Sequence, residues 1–415
     1  MLKLQQIKSR KLQSTVKKSP QKTGKRFQLN FQGDLSYLII VLLLSIWGAL
    51  MVYSGSVIVA ARQGNPASFY FVRQVAWIIL GLTGLFVFYK IDYRTIVKFS
   101  PIALGITVFW LILVLLLNYN EPIKRWIDLG AFDFQPSELA KLVFLIYLSG
   151  WLAKFKQHGK ITRDAIKQHL STQLLPFILV TAVVLLLIFI EPDLDTAIIL
   201  GLASFIIYFI AGNDTIHFLG SFLLGLLLTL FTTVATLLAK YRITRLETFI
   251  EFWRSGVVPN PTTSGYQLRQ ILVAIASGGL FGVGFGESRQ KFHYLGDTAF
   301  SDTIFAIFAE EFGLIGCIIL ISLILFLFLK AIKIAKAAPD KLGFLLVISM
   351  STWLTLQAFM HIAANVALIP INGNTLPFFS YGGSSTIVNL CAVGLILNIS
   401  RYSQKNTARH YRLPG

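Results

Sequence analysis

The run LGFLLVISMSTWLTLQAFMHIAANVALIPINGNTLPFFSYGGSSTIVNLCAVGLILNIS, residues 342–400, contains no Asp, Glu, Lys or Arg. Its middle, Pro370 to Gly383, is rich in Gly, Pro and Asn and splits the run into two apolar stretches. Each is long enough for a helix across a bilayer core of about 30 Å, which takes roughly 20 residues with every backbone group bonded internally. The same pattern extends upstream. No charge lies between Asp34 and Arg62, Lys98 and Glu121, Lys167 and Glu191, Asp195 and Asp214, Asp214 and Lys240, or Glu311 and Lys330. A shorter run, 70–89, starts near Arg73. Another, 138–153, starts with Glu138 and Lys141 and spans only if those charges face the protein interior. The expected fold is an all-α integral membrane protein with ten transmembrane helices.

Composition excludes the alternatives. Of 415 residues 55% are hydrophobic and 13% charged, against about 25% charged in soluble domains, and the mean hydropathy is +0.69. The net charge of +18 is concentrated in loops and in a tail, Met1 to Asp34, so no nucleic-acid partner is expected. Cys317 and Cys391 lie in apolar runs and supply neither a disulfide framework nor a zinc site. Lys and Arg crowd the tail, the loops 90–100, 153–172 and 330–341, and the end after Ser400. The positive-inside bias therefore puts both termini in the cytoplasm. Three parts are expected: a basic disordered tail, 1–34, resting on anionic membrane lipids; a membrane domain, 35–400, opened by an uncleaved anchor; and a cytoplasmic tail, 401–415. Residues 240–301, between the seventh and eighth spans, form the large extracytoplasmic loop. In it Ile243, Leu246, Phe249, Ile250 and Trp253 recur at helical spacing among Arg242, Arg245 and Arg254, as in a helix lying in the interface plane. Residues 266–281 suggest a second helix.

Ionisable groups at membrane depth or at the rim are the default functional candidates. All but one of their clusters fall on the outer side. Lys124-Arg125-Trp126 precedes Gln135-Pro136-Ser137-Glu138-Leu139-Ala140-Lys141. Glu138 and Lys141, three residues apart on one helix, can neutralise each other; an ion pair without a substrate role fits equally. Glu191-Pro192-Asp193-Leu194-Asp195 brings three repelling carboxylates, which call for a distant base or a cation. Arg125 or Lys141 would also meet that demand. Next come Gly265-Tyr266-Gln267, glycines from 278 to 286, Gln290-Lys291, Asp297 and Asp302. The glycines are no dinucleotide fingerprint, since no βαβ unit is possible here. Asp302 precedes the apolar helix 303–329, whose N-terminus favours a carboxylate as cap or as reactive group. Last, the uncharged stretch 375–385 offers the hydroxyls of Ser380 and Ser384 beside a broken helix.

Taken in order, these segments resemble the SEDS family (shape, elongation, division and sporulation), peptidoglycan glycosyltransferases of RodA and FtsW type. The likeness runs from the first span to Ile399. It is carried by Lys-Arg-Trp-Ile at 124–127, Gln-Pro-Ser-Glu-Leu-Ala-Lys at 135–141, Glu-Pro-Asp-Leu at 191–194, Gly-Tyr-Gln at 265–267, the glycines at 278–286, and Leu-Pro-Phe-Phe-Ser-Tyr-Gly-Gly-Ser-Ser at 376–385. The long basic tail leans towards the FtsW-like division member. Three departures stand out: Leu295-Gly296-Asp297 followed by four residues where the family has Leu-Pro-Glu followed by three, Asp195 where it normally has Gly, and Thr303 where Phe is common.

The resemblance implies a bacterial cytoplasmic-membrane enzyme that polymerises lipid II, the undecaprenyl-pyrophosphate-linked disaccharide peptide, into glycan strands for division or elongation. Asp302 would be the catalytic base, with Asp297 open as a second contributor. Lys124, Arg125, Lys141, Arg242, Arg245 and Lys291 would face the pyrophosphate. Trp126, Glu138, Asp193, Gln267, Ser380 and Ser384 complete the substrate-binding set. A divalent cation, Mg or Mn, could share the charge, with Asp193 its nearest ligand; no other cofactor is implied. The implied partners are a class B penicillin-binding protein transpeptidase and other divisome or elongasome proteins. Two rival functions use the same residues: a lipid II flippase and a non-catalytic divisome scaffold.

Overall fold

The computed structural model describes residues 33–117, 125–128, 130, 133–155, 162–212 and 215–410. The expected basic tail up to Gln32, Lys124, and the side chain of Asp297 lie outside the described residues.

The chain runs α1 (Leu35–Arg62), α2 (Phe69–Lys90), α3 (Tyr93–Leu117), a hairpin β1 (Ile127–Asp128) and β2 (Asp133–Phe134), then α4 (Pro136–Leu152) and α5 (Arg163–His169). A π-turn, Leu170–Leu174, leads into α6 (Leu175–Ile190), α7 (Leu194–Ala211), α8 (Thr215–Leu237), α9 (Lys240–Ser255) and α10 (Tyr266–Gly278). After the short α11 (Gln290–His293) come α12 (Ile304–Lys336), α13 (Lys341–Asn365) and α14 (Gly383–His410). Among the described residues nine helices are long and apolar enough to cross a membrane. The expected tenth is α4, with 17 residues. A two-residue hairpin pairs Ile127 with Phe134 and Asp128 with Asp133, and α14 runs past Ser400, where Ser403 Oγ donates to the Ala337 carbonyl at 2.7 Å.

Local chemistry starts the helices. Asp34, Asp193 and Asp340 each accept a first-turn N–H, from Tyr37, Thr196 and Gly343 respectively, and Pro136 opens α4 where no N–H is needed. Helices α4, α13 and α14 are the buried ones; helices apolar on all sides belong in the interior. Within that interior Lys141 donates to Glu138 Oε1 at 2.8 Å and to Gln357 Oε1 at 2.9 Å, with its ammonium 5.6 Å from the Trp353 ring centre. The two charges of α4 thus meet inside the bundle. Helices α2 and α14 approach closely at Gly81 and Gly394, where an added Cβ would strike Leu390 and the Leu85 backbone.

Helix α12 is broken at Gly313, whose φ is 65°. The break strips hydrogen-bond partners from the flanking peptides, and buried backbone groups need new ones. The glycine loop replaces them. Val283 and Gly284 donate to the carbonyls of Glu310 and Glu311, while Leu314 and Ile315 donate to Gly279 and Leu280. The Glu310 carboxylate fastens the same loop, accepting from Ser277, Ser288, and the Arg289 and Gln290 amides.

Candidate active site

Asp302 stands on the segment that enters the half-helix Ile304–Phe312. It does not cap that helix: Thr303 occupies the cap position with no side-chain cap bond. Its segment is held from behind. Ser380 Oγ donates to the Ser301 carbonyl at 2.8 Å, Tyr381 N to the Phe300 carbonyl at 2.9 Å, and Asn365 Nδ2 to the Asp302 carbonyl at 3.1 Å. The side chain meets a cavity of about 890 Å³.

Four elements build the other walls. Asp195, in the first turn of α7, accepts the Gly373 N–H at 3.0 Å. Gly373 itself is so placed that an added Cβ would lie 3.7 Å from Asp302 Oδ2. Helix α9 supplies Tyr241, Arg242 and Arg245; Arg245 donates to the Ile371 carbonyl at 3.3 Å and Trp253 to that of Ala367 at 2.7 Å, closing the helix over the 366–373 segment. Arg242 is fixed by the Ala235 carbonyl at 2.7 Å and by the Tyr241 hydroxyl at 2.9 Å. Helix α8 adds Thr232, Thr233 and Thr236, each donating to a carbonyl of its own helix and keeping its acceptor capacity. Arg125 completes the ring. It donates to the carbonyls of Glu191 and Pro192 and lies 3.9 Å from Asp193 Oδ1.

The electrostatics follow from this placement. Burial pushes the Asp302 carboxyl up to about 6, the Asp195 carboxylate pushes the same way, and Ser301, Arg125 and Arg245 pull it back. A carboxylate of that strength is poised to take a proton near neutral pH. Glu191 is fully buried, and among the described residues neither carboxyl oxygen has a hydrogen-bond partner. Burial and the neighbouring Asp193 push it up to about 9 against the pull of Arg125, which makes it a neutral acid at pH 7.

Of the residues expected from sequence, Asp302, Arg125, Arg242 and Arg245 share this cavity. The others are spent elsewhere. Asp193 accepts from Gln135, Ser137 and the Thr196 amide, and so caps α7. Among the described residues no three His, Cys, Asp or Glu are grouped to hold a metal. Glu138 and Lys141 neutralise each other, and Lys291 is held at 2.8 Å by both Glu311 and Ser54. Ser384 accepts from the Gln135 amide and donates to Asp133, tying α14 to the hairpin. Trp126 is exposed and Gln267 lies on α10, both away from the lining. Sequence reasoning missed the threonine face of α8 and the Ile371–Gly373 wall. Hydroxyls at positions i, i+1 and i+4 in an apolar span were a usable signal for the first; the second is set by tertiary contact alone.

A family model described as "Cell cycle protein", covering FtsW, RodA and SpoVE, matches residues 34–405. The chain is 34% identical over 374 residues to a probable peptidoglycan glycosyltransferase FtsW of Geobacter sp. strain M18, covering 88% of this chain and 96% of that one. It is 35% identical over 374 residues to the stage V sporulation protein E of Bacillus subtilis, covering 89% and 98%. Among solved structures, a chain from a peptidoglycan synthase complex that coordinates polymerization and crosslinking superposes with a TM-score of 0.68 at 26% identity, covering 89% of this chain and 98% of that one. The rod shape determining protein RodA of Thermus thermophilus superposes at 0.61 with 25% identity, covering 89% and 97%.

Proposed function

Because this chain belongs to the FtsW, RodA and SpoVE family of cell cycle proteins, we propose that it is a peptidoglycan glycosyltransferase that polymerises lipid II into glycan strands. The observation that carries this is one cavity holding a half-buried carboxylate with a raised pKa, Asp302, together with Arg125, Arg242 and Arg245. A base and a cluster of fixed cations are the two things an inverting transfer from a pyrophosphate donor requires.

The acceptor's sugar 4-hydroxyl attacks the donor's anomeric carbon. A new carbon–oxygen bond forms, the bond to the pyrophosphate oxygen breaks with inversion, and Asp302 takes the hydroxyl proton. Negative charge grows on the departing pyrophosphate, and the arginines stabilise it as fixed hydrogen-bond donors. Arg125 and Arg242 are already held by backbone carbonyls, so their ordering precedes the reaction. In this reading the growing charge is compensated by the arginines that line the cavity. Arg and Lys placement supports a cytoplasmic-membrane protein with both termini inside and the cavity at the outer face, where the sugar–pyrophosphate head emerges from the bilayer. The likeness to a chain of a peptidoglycan synthase complex supports a class B penicillin-binding transpeptidase as partner.

The test is glycan-strand formation from purified lipid II by the protein in detergent or liposomes, with and without a co-expressed transpeptidase. Wild type is expected to give polymer and Asp302→Asn none. Polymer from Asp302→Asn at the wild-type rate would refute the assignment of the base; lipid II translocation without polymer in every arm would make the protein a flippase.

A further inference from the structure

The Asp195 carboxylate does not belong to the set just assigned, yet it lines the same cavity as Asp302. It stands in the first turn of α7, two residues after the capping Asp193. Its Oδ2 takes the Gly373 N–H at 3.0 Å. At the same glycine, Asp302 Oδ2 lies 3.7 Å from where a Cβ would project. Gly373 therefore lies near both carboxylates, and one of them holds it in place. Among the described residues the charged and titratable groups around them are few. Arg125 approaches from before β1; Asp193 and Glu191 flank the start of α7; Tyr241, Arg242 and Arg245 descend from α9. Segment 369–373 and the α13 residue Met360 bring no charge to the lining.

Given that Asp302 is the base, we propose that Asp195 is a positioning residue for it: it pins the Gly373 wall against the Asp302 carboxylate and, as a second negative charge in one cavity, makes that carboxylate a stronger base. Like charges that share a site favour protonation of one of them, and a general base gains from an affinity for protons closer to the working pH. The direction seen for Asp302, in which Asp195 acts after burial and against the two arginines, agrees with this. The balance is local: Arg125 and Arg245 alone would leave Asp302 a weaker base, and Asp195 offsets them.

The experiment is the pH dependence of lipid II polymerisation by full-length protein carrying Asp195→Asn or Asp195→Ala, with Asp195→Glu as the conservative variant. The amide of Asn keeps an acceptor for the Gly373 N–H but loses the charge. Asp195→Asn is expected to move the acid limb down by about one pH unit, so that at pH 5 the variant keeps roughly fivefold more of its own plateau rate than wild type does. Asp195→Ala should show the same shift and, with the wall released, a higher KM for lipid II. Asp195→Glu should restore the wild-type limb. A merely structural Asp195 would lower thermal stability without moving the limb. An acid limb unmoved in Asp195→Asn overturns the proposal, and that variant decides alone should Asp195→Ala fail to fold. Activity in Asp302→Asn would instead overturn the base, a separate and distinguishable result.

Discussion

The Asp302 carboxyl carries a definite pH signature. Its pKa of about 6 comes first from burial, and a base must be ionised to act. Polymerisation is therefore expected to fall about tenfold per unit as pH drops below 6 and to level off above it; a rate independent of pH between 4.5 and 7 would contradict this. Asp302→Asn should lower the rate by a factor of about 100 or more, the usual contribution of a positioned base. Glu191 predicts a stability effect instead. Its folded pKa, about 9, lies above the ordinary value of 4.5, so the neutral acid stabilises the fold fully below about 4.5. That contribution is lost as pH rises through 9. Between pH 7 and 10 the melting temperature of wild type should fall more than that of Glu191→Gln, in which the buried amide cannot ionise; parallel curves would show that Glu191 ionises without cost. Both acids were visible in the sequence as motif members. Their different states were not, because desolvation depends on the walls that the rest of the chain puts around them.

At the level of elements, the break in α12 shows why the glycine loop has its composition. Gly313 sits at φ 65°, and an added Cβ there would overlap the Gly282 amide and the Leu280 carbonyl. Gly313→Val must therefore strain the backbone by roughly 1–3 kcal/mol and also part the loop from the helix. A clear fall in the thermal midpoint in detergent is expected. Gly105→Ala in α3 is the control, since nothing lies within 4 Å of its Cβ position; equal midpoints for the two variants would show that the loop does not depend on the break. The sequence marked the density of glycines at 278–286 and their tolerance of tight paths. It could not show that the loop replaces the lost hydrogen bonds of a span starting some twenty residues later, because that pairing is non-local.

Across the whole molecule, the knot of Glu138, Lys141, Gln357 and Trp353 joins α4 to α13 in the interior. Removing one charge of a buried pair leaves the other unpaired, at a cost of about 3–5 kcal/mol. Lys141→Met is expected to lower the melting temperature sharply, and adding Glu138→Gln should restore most of it. A double variant no better than the single one would mean that the loss does not come from an unpaired Glu138. Taken by itself, the sequence determined the all-helical membrane class, the positions of the long apolar helices, the family motifs and the carboxylate ahead of α12. Charge-free runs of this length have one stable solution in lipid, and that solution is local to each run. Which polar groups share a cavity was decided only by tertiary structure. Arg125 and Arg245 line the cavity of Asp302 while Lys141 and Lys291 are bound to buried glutamates, and every one of these cations looks alike until packing decides where it goes.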